Sequence, residues 1–242
     1  MTGKLIVIDG CDATGKATQT RMLAKRLSDE NHAVIEHSFP KYEHPSSLAV
    51  RIYLARHGIS PEICLPRELA MTLDPKIVSA WYALDRACHA PEMRAQLATG
   101  AILVSDRYTS ANAGHQGGKI ADPQKRKEYL DWLFSFEYEK LQIPQPDLTI
   151  LLDLEPEVSE QLLSARPGEK DLHEKDPAHQ RNARDAFLYA AEKQAHWRVI
   201  RCTKPLLEGV LNDQAILGTE KIRPANEIHE ELYALVYDLL KK

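Results

Sequence analysis

Five short runs of apolar, β-branched residues punctuate this chain: Leu5–Asp9, Ala33–Phe39, Ala101–Asp106, Leu148–Asp153 and Arg198–Cys202. The first, third and fourth are nearly unbroken in hydrophobicity and end on an acid, as strands covered on both faces do. Longer segments with apolar residues at helical spacing separate them: Gly15–Asp29, Pro75–Thr99, Pro123–Leu141, Ala178 to about His196, and Ala225–Leu240. This alternation predicts an α/β layered fold: a five-stranded, mainly parallel sheet flanked by helices, with right-handed crossovers. Two stretches escape the pattern. Residues 164–177 (SARPGEKDLHEKDP) are polar, mixed in charge and broken by prolines, the composition of a mobile surface loop. Residues 203–224 show no periodicity and receive no role. With no internal repeat and no Gly/Ser-rich linker, 1–242 reads as one domain.

Composition narrows the function classes. A chain of 242 residues, 43% of them hydrophobic, can bury a sizeable core. Lys and Arg total 31 against 35 Asp and Glu, a net charge of −4, which argues against a protein held on nucleic acid by bulk charge. A local basic cleft is still compatible with that balance. The cysteines Cys11, Cys64, Cys88 and Cys202 lie far apart, with no Cys-x-x-Cys pair, so neither a disulfide scaffold nor a structural zinc site is expected. The apolar run ending at Asp9 is too brief for a signal peptide, and no stretch has the length of a membrane span. A cytoplasmic protein with neither membrane nor nucleic-acid partners is expected.

The chemistry starts where the first strand ends. Gly10-Cys11-Asp12-Ala13-Thr14-Gly15-Lys16-Ala17-Thr18 contains Gly-x-x-x-x-Gly-Lys, the core of the phosphate-binding loop. Its glycines permit the backbone turns, its amides and the following helix N-terminus face an anion, and its Lys reaches the terminal phosphates. The strand–loop–helix placement favours this reading over an ordinary glycine turn beside a surface lysine. The full pattern has Ser or Thr after the Lys to hold magnesium, and here that position is Ala17. Thr18 is no simple substitute, because one step along a helix rotates the side chain by about 100°.

Further motifs follow in order: Phe39-Pro40-Lys41-Tyr42, Tyr82-Ala83-Leu84-Asp85-Arg86, Asp106-Arg107-Tyr108 leading into Thr109–Gly117, and Leu141–Leu148 into the fourth strand. With the phosphate loop, in this order and at these spacings, the chain resembles the thymidylate kinases over residues 4 to about 200 and again in the last helix. The resemblance implies a P-loop NTPase-type kinase fold with a lid at 164–177, transfer of the γ-phosphoryl group of ATP to dTMP, Mg2+ as cofactor, and a homodimer. It implies that Lys16 and the loop amides hold ATP phosphates. Asp12 would organise the sugar 3′-hydroxyl and, with Asp106, the metal region, partly through water. Lys41 would reach toward the transferred phosphate, Tyr82 stack on thymine, and Arg86 bond its carbonyl edge. Arg107 would grip the acceptor phosphate. Asn112 sits at a base-recognition position and His115 where an aromatic residue crowds the 2′ carbon; Phe39 and Gln116 complete the implied dTMP site. Arg166 is the implied catalytic lid cation, since Ala13 stands where some members carry a loop Arg.

Each residue also has a plainer reading. Tyr82 on an amphipathic helix fits a core position, Arg86 and Asp85 fit a surface pair, and the charge run in 164–177 fits a solvated face. Arg107 is harder to dismiss, because a charge at the carboxyl end of a buried strand faces the ligand crevice of an open α/β sheet. Three departures stand out: Ala17, Ala111 in place of the family's Ser, and His115 in place of Tyr or Phe. They leave two alternatives beside the thymidylate kinase: a kinase of the same fold for another nucleotide or nucleoside, and a nucleotide-binding protein without turnover. A phosphate monoester is largely dianionic at neutral pH and needs no general base, so cations carry the chemistry. Lys16, Lys41, Arg86, Arg107 and Arg166 predict a concentrated basic cleft.

Overall fold

The computed structural model describes residues 3–55, 58–165, 177–205 and 220–241. Most of the expected lid, including Arg166, and residues 206–219 lie outside the described residues. The five predicted strands are present as β1 (Lys4–Gly10), β2 (Val34–Ser38), β3 (Ile102–Asp106), β4 (Leu148–Asp153) and β5 (Trp197–Arg201). All pair in parallel, in the order β2-β3-β1-β4-β5. The central three carry the apolar runs because helices cover both their faces, and Leu5, Ile6, Val7 and Ile8 are fully buried. The order reverses direction about β1, so the phosphate loop leaves the sheet at the switch point where ligands bind in open α/β sheets.

The predicted helices correspond to α1 (Lys16–Asp29), α4 (Pro75–Ala98), α6 (Pro123–Phe134), α8 (Pro177–Lys193) and α9 (Ala225–Leu240). Between them lie the shorter α2 (Leu48–Leu54), α3 (Arg67–Thr72), α5 (Thr109–His115) and α7 (Pro156–Ala165), which the periodicity did not announce. The helix expected to run to Leu141 changes character: α6 gives way to a π-helical turn at Ser135–Lys140. The unassigned stretch opens and closes as a two-stranded antiparallel ribbon, β6 (Thr203–Pro205) with β7 (Glu220–Ile222). Among the described residues no helix is long and apolar enough to cross a membrane.

Two glycines set backbone spacings that the site depends on. Gly10 has φ 151°, and a Cβ there would lie 2.4 Å from the Leu152 carbonyl oxygen of β4, so no other residue lets the loop leave the sheet here. On α5, a Cβ at Gly114 would lie 2.2 Å from the Phe187 ring, so α5 and α8 approach through a missing side chain.

Candidate active site

A cleft at the carboxyl ends of the strands encloses about 570 Å³ counting its open mouth, within the range of small-molecule sites. Asp12, Arg107 and His115 form one end; Tyr82, Arg86, Asn112 and Gln116 form the other; Phe39, Pro40 and Leu54 make an apolar wall. The structure thus collects eight of the sequence-predicted acceptor residues from five separate segments.

At the first end the phosphate loop braces itself. The buried Lys16 donates from Nζ to the carbonyl oxygens of Gly10, at 3.1 Å, and Cys11, at 2.7 Å. Burial lowers its pKa, as does the nearby Arg107. Thr14 Oγ1 donates to the Cys11 carbonyl at 2.9 Å. Cys11 is buried and its thiol is pushed up to about 12 by burial, so it is a packing residue at neutral pH. Ala17 and Thr18 are exposed at the start of α1.

Arg107 stands at the centre. Its φ of 63° is left-handed, a strained state for a non-glycine residue, fixed by its amide donating to the Ile8 carbonyl at 3.0 Å. From there Nη2 donates to Asp12 Oδ1 at 2.5 Å and Nη1 to His115 Nε2 at 3.0 Å. Burial opposes the guanidinium charge, but Asp12, Asp9 and Asp106 outweigh it and raise its pKa. Burial likewise opposes the Asp12 carboxylate, and Arg107 and Lys16 overcome it, lowering its pKa. Asp12 Oδ2 accepts from Gln180 Nε2 at 3.0 Å, so both its oxygens are engaged. Of the two carboxylates expected near a metal, only Asp106 presents a buried oxygen without a hydrogen-bond partner, Oδ1. Asp9, beneath the loop, accepts from the Gly10 amide and from Ser110 Oγ, and burial raises its pKa.

At the other end Arg86 is buried, which corrects the plain reading of a surface pair with Asp85. Asp85 instead accepts from the Lys41 amide and Ser46 Oγ. The partner of Arg86 is Glu137, on the π-helical turn: Nε and Nη2 donate to its two oxygens at 2.7 and 2.6 Å. Glu137 also accepts from Thr109 Oγ1 at 2.7 Å and Asn112 Nδ2 at 3.2 Å. The Asn112 amide nitrogen donates further to the Ser79 carbonyl at 3.1 Å, leaving Oδ1 as the atom for the cleft. Tyr82 is half-buried and lines the cleft, a position between the core and the stacking expectations.

Lys41 does not join this cleft. Its Nζ lies 5.3 Å from the Phe39 ring centroid, and the side chain lines a neighbouring groove with His37, His44 and His89. The expectation of a concentrated basic cleft is therefore corrected for the described residues: Arg86 is matched by Glu137, Arg107 by Asp12, and Lys41 is elsewhere. The sequence reading missed Glu137, His179 and Gln180. Glu137 carried a signal, since Leu130, Leu133 and Glu137 fall at i, i+3 and i+7, an acid on an apolar stripe.

Comparison with known proteins gives the family and the fold. A model of the family described as thymidylate kinase matches residues 8–213. The thymidylate kinase of Clavibacter michiganensis subsp. michiganensis is 32% identical over 210 residues, covering 85% of this chain and 90% of that protein. That of Carboxydothermus hydrogenoformans is 31% identical over 204 residues, covering 83% and 89%. The solved thymidylate kinase of Candida albicans superposes with a TM-score of 0.69 at 20% identity, covering 98% of this chain and 92% of the other, a likeness of fold. On this evidence the chain belongs to the thymidylate kinase family.

Proposed function

We propose that the protein transfers the γ-phosphoryl group of ATP to dTMP, giving dTDP and ADP. The observation that carries the base assignment is the pairing of Arg86 with Asn112. Glu137 engages Nε and Nη2 of Arg86 and the amide nitrogen of Asn112, so a guanidinium donor and an amide carbonyl acceptor remain side by side for the cleft. A thymine edge offers the complement, an acceptor at O4 and a donor at N3. A cytosine edge reverses both and sets donor against donor, which leaves buried polar groups unpaired. The wall of Phe39, Pro40 and Leu54 suits a 5-methyl group.

In this reading Arg107 receives the acceptor phosphate on the guanidinium N–H groups that Asp12 and His115 leave open, while those two keep hold of the others. Lys16 shifts from loop carbonyls to donor phosphate oxygens. The cleft needs no general base, so its residues act by holding and orienting two anions. Asp106 fits a divalent cation. Its Oδ1 is a buried hard-oxygen donor without a partner, and Mg2+ is commonly bound through one or two carboxylates, waters and substrate phosphates. Among the described residues no cluster of three His, Cys, Asp or Glu could hold an ion alone, consistent with a metal that arrives with its nucleotide. When bound, Mg2+ supplies charge neutralisation at the phosphates. Arg166 is the proposed lid cation. A second copy of the chain would cover the exposed Ile77 and Leu84 of α4, which flank the half-buried Trp81 on one face.

The test is ADP formation with ATP and Mg2+ across a panel of acceptors. Turnover with dTMP, weaker turnover with dUMP, and little with CMP or AMP is expected. Equal rates across the panel would overturn the base assignment, and tight dTMP binding without ADP would favour a binding protein. Sedimentation analysis checks the dimer, which predicts twice the chain mass.

A further inference from the structure

Arg107 is held at both tips by two chains of hydrogen bonds, and the chains meet on neighbouring residues. From Nη2 the path runs to Asp12 Oδ1 at 2.5 Å, then from Asp12 Oδ2 to Gln180 Nε2 at 3.0 Å. From Nη1 it runs to His115 Nε2 at 3.0 Å, then from His115 Nδ1 to His179 Nε2 at 3.4 Å. His179 and Gln180 are consecutive in the first turn of α8, so the backbone closes a ring of five side chains. Asp12, His115, His179 and Gln180 are all buried. The two imidazole planes lie within 8° of parallel, and Phe187 packs edge-on against His115 where Gly114 admits it.

The hydrogen bonds within the ring fit one proton count. A guanidinium has no acceptor, so His115 Nε2 must accept and carries no proton. A neutral imidazole then holds its proton on Nδ1, and that proton points to His179 Nε2, which accepts in turn. Protonating His115 would set N–H against N–H at Arg107. Of the five guanidinium N–H groups two lie in the ring, and three remain for an incoming phosphate.

Resting on the dTMP reading above, we propose that His115, His179 and Gln180 are positioning residues. They fix the Arg107 guanidinium for the acceptor phosphate through two neutral, Nδ1-protonated histidines. The departure at His115 from an aromatic residue thereby acquires a role of its own, as a hydrogen-bond acceptor rather than a shape.

Two measurements on the full chain test it. Long-range 1H–15N spectra of the imidazole nitrogens at neutral pH are expected to show both histidines in the Nδ1–H form. An Nε2–H or doubly protonated His115 would overturn the ring. Calorimetric titrations then compare dTMP with thymidine, which lacks the phosphate. His115→Phe keeps the ring packing and removes the acceptor. It is expected to weaken dTMP binding by about tenfold or more, the scale of one hydrogen bond to a charged group, with thymidine changed by less than about twofold. His115→Gln, whose Oε1 can stand in for Nε2, recovers most of the loss. His179→Phe weakens dTMP in the native background and adds nothing to His115→Phe. Equal losses for dTMP and thymidine, or none for dTMP, overturn the proposal. A native protein that binds dTMP no better than thymidine sinks the acceptor reading instead, and the spectra still decide the ring.

Discussion

Replacing Glu137 by Gln tests the organisation of the base end most directly. Glu137 is fully buried, and its two oxygens receive Arg86 twice, Thr109 and Asn112. Gln keeps the shape but removes the charge and turns an NH2 group toward one of the Arg86 donors. The result is a buried guanidinium without its paired carboxylate; the nearby Asp85 still attracts it, but its oxygens are taken by the Lys41 amide and Ser46 Oγ. Breaking such a pair from one side costs about 3–5 kcal/mol. A domain of this size loses about 2–4 °C of melting temperature per kcal/mol. The expected fall in Tm is therefore roughly 6–20 °C, read by circular dichroism or calorimetry. The KM for dTMP should rise while that for ATP stays near the native value, because Arg86 and Asn112 lose their common anchor. The control is the double replacement Arg86→Met with Glu137→Met, which removes both charges. It is expected to regain most of the stability but none of the dTMP affinity, since the donor to the base is gone. A Glu137→Gln protein melting within about 2 °C of native would refute the argument that Arg86 depends on this pair.

Three further outcomes are expected. Arg107→Ala should cost about 2–5 kcal/mol in kcat/KM for dTMP, the scale of a truncated buried charge pair, with ATP affinity nearly unchanged by titration. Ala17→Ser should lower the magnesium concentration for half-maximal rate, because it adds an oxygen donor at the start of α1; an unchanged magnesium dependence would place the ion away from this turn. Lys119, whose Nζ donates to Tyr53 Oη at 2.9 Å, has its pKa lowered to about 8 by burial. Between about pH 8 and the ordinary lysine value of 10.5 the unfolded chain holds the proton that the folded one has released. Stability from this site therefore rises with pH in that window, by up to about 1.4 kcal/mol per unit. Denaturation of Lys119→Met should lack that rise.

The sheet was legible because β1, β3 and β4 are covered on both faces and so advertise themselves as unbroken apolar runs. The helix α5 was not. Its sequence TSANAGH has weak helical propensity, and it forms because Gly114 lets it seat against Phe187 of α8. Motif residues were legible as motifs, but their partners were not. Glu137 lies 51 positions from Arg86, His179 lies 64 from His115, and Gln180 lies 168 from Asp12. Spacing along a chain carries no trace of such pairings, with one exception. Ser79, Ala83, Arg86, Ala90 and Met93 form the inner stripe of α4, as Leu130, Leu133 and Glu137 do on the neighbouring helix. A charge on one inward stripe demands an opposite charge facing it, so Arg86 and Glu137 predict each other. Lys41 misled for the opposite reason: its motif placed the backbone, whose amide binds Asp85, and not the side chain.

The charge balance of the cleft decides what else catalysis needs. At the phosphate end Lys16 and Arg107 face the carboxyl groups of Asp9, Asp12 and Asp106. Burial raises the pKa of Asp9, and its oxygens already accept from the Gly10 amide and Ser110, so it serves as a brace for the loop. Asp12 is held ionised by Arg107 and Lys16 and is engaged on both oxygens. Two cations among three acids cannot by themselves draw together a nucleoside triphosphate and a monophosphate dianion. The attraction has to enter with other charges. One source is a divalent ion, for which Asp106 offers a buried Oδ1 without a hydrogen-bond partner, while the oxygens of Asp9 and Asp12 are engaged. The other is the basic residues of the chain between α7 and α8, Arg166, Lys170 and Lys175. The absence of a hydroxyl at Ala17 fits this division: the loop supplies shape and a lysine, a bound ion would keep its waters and substrate oxygens as ligands, and in the proposed ring Arg107 is set between the charged Asp12 and the neutral His115.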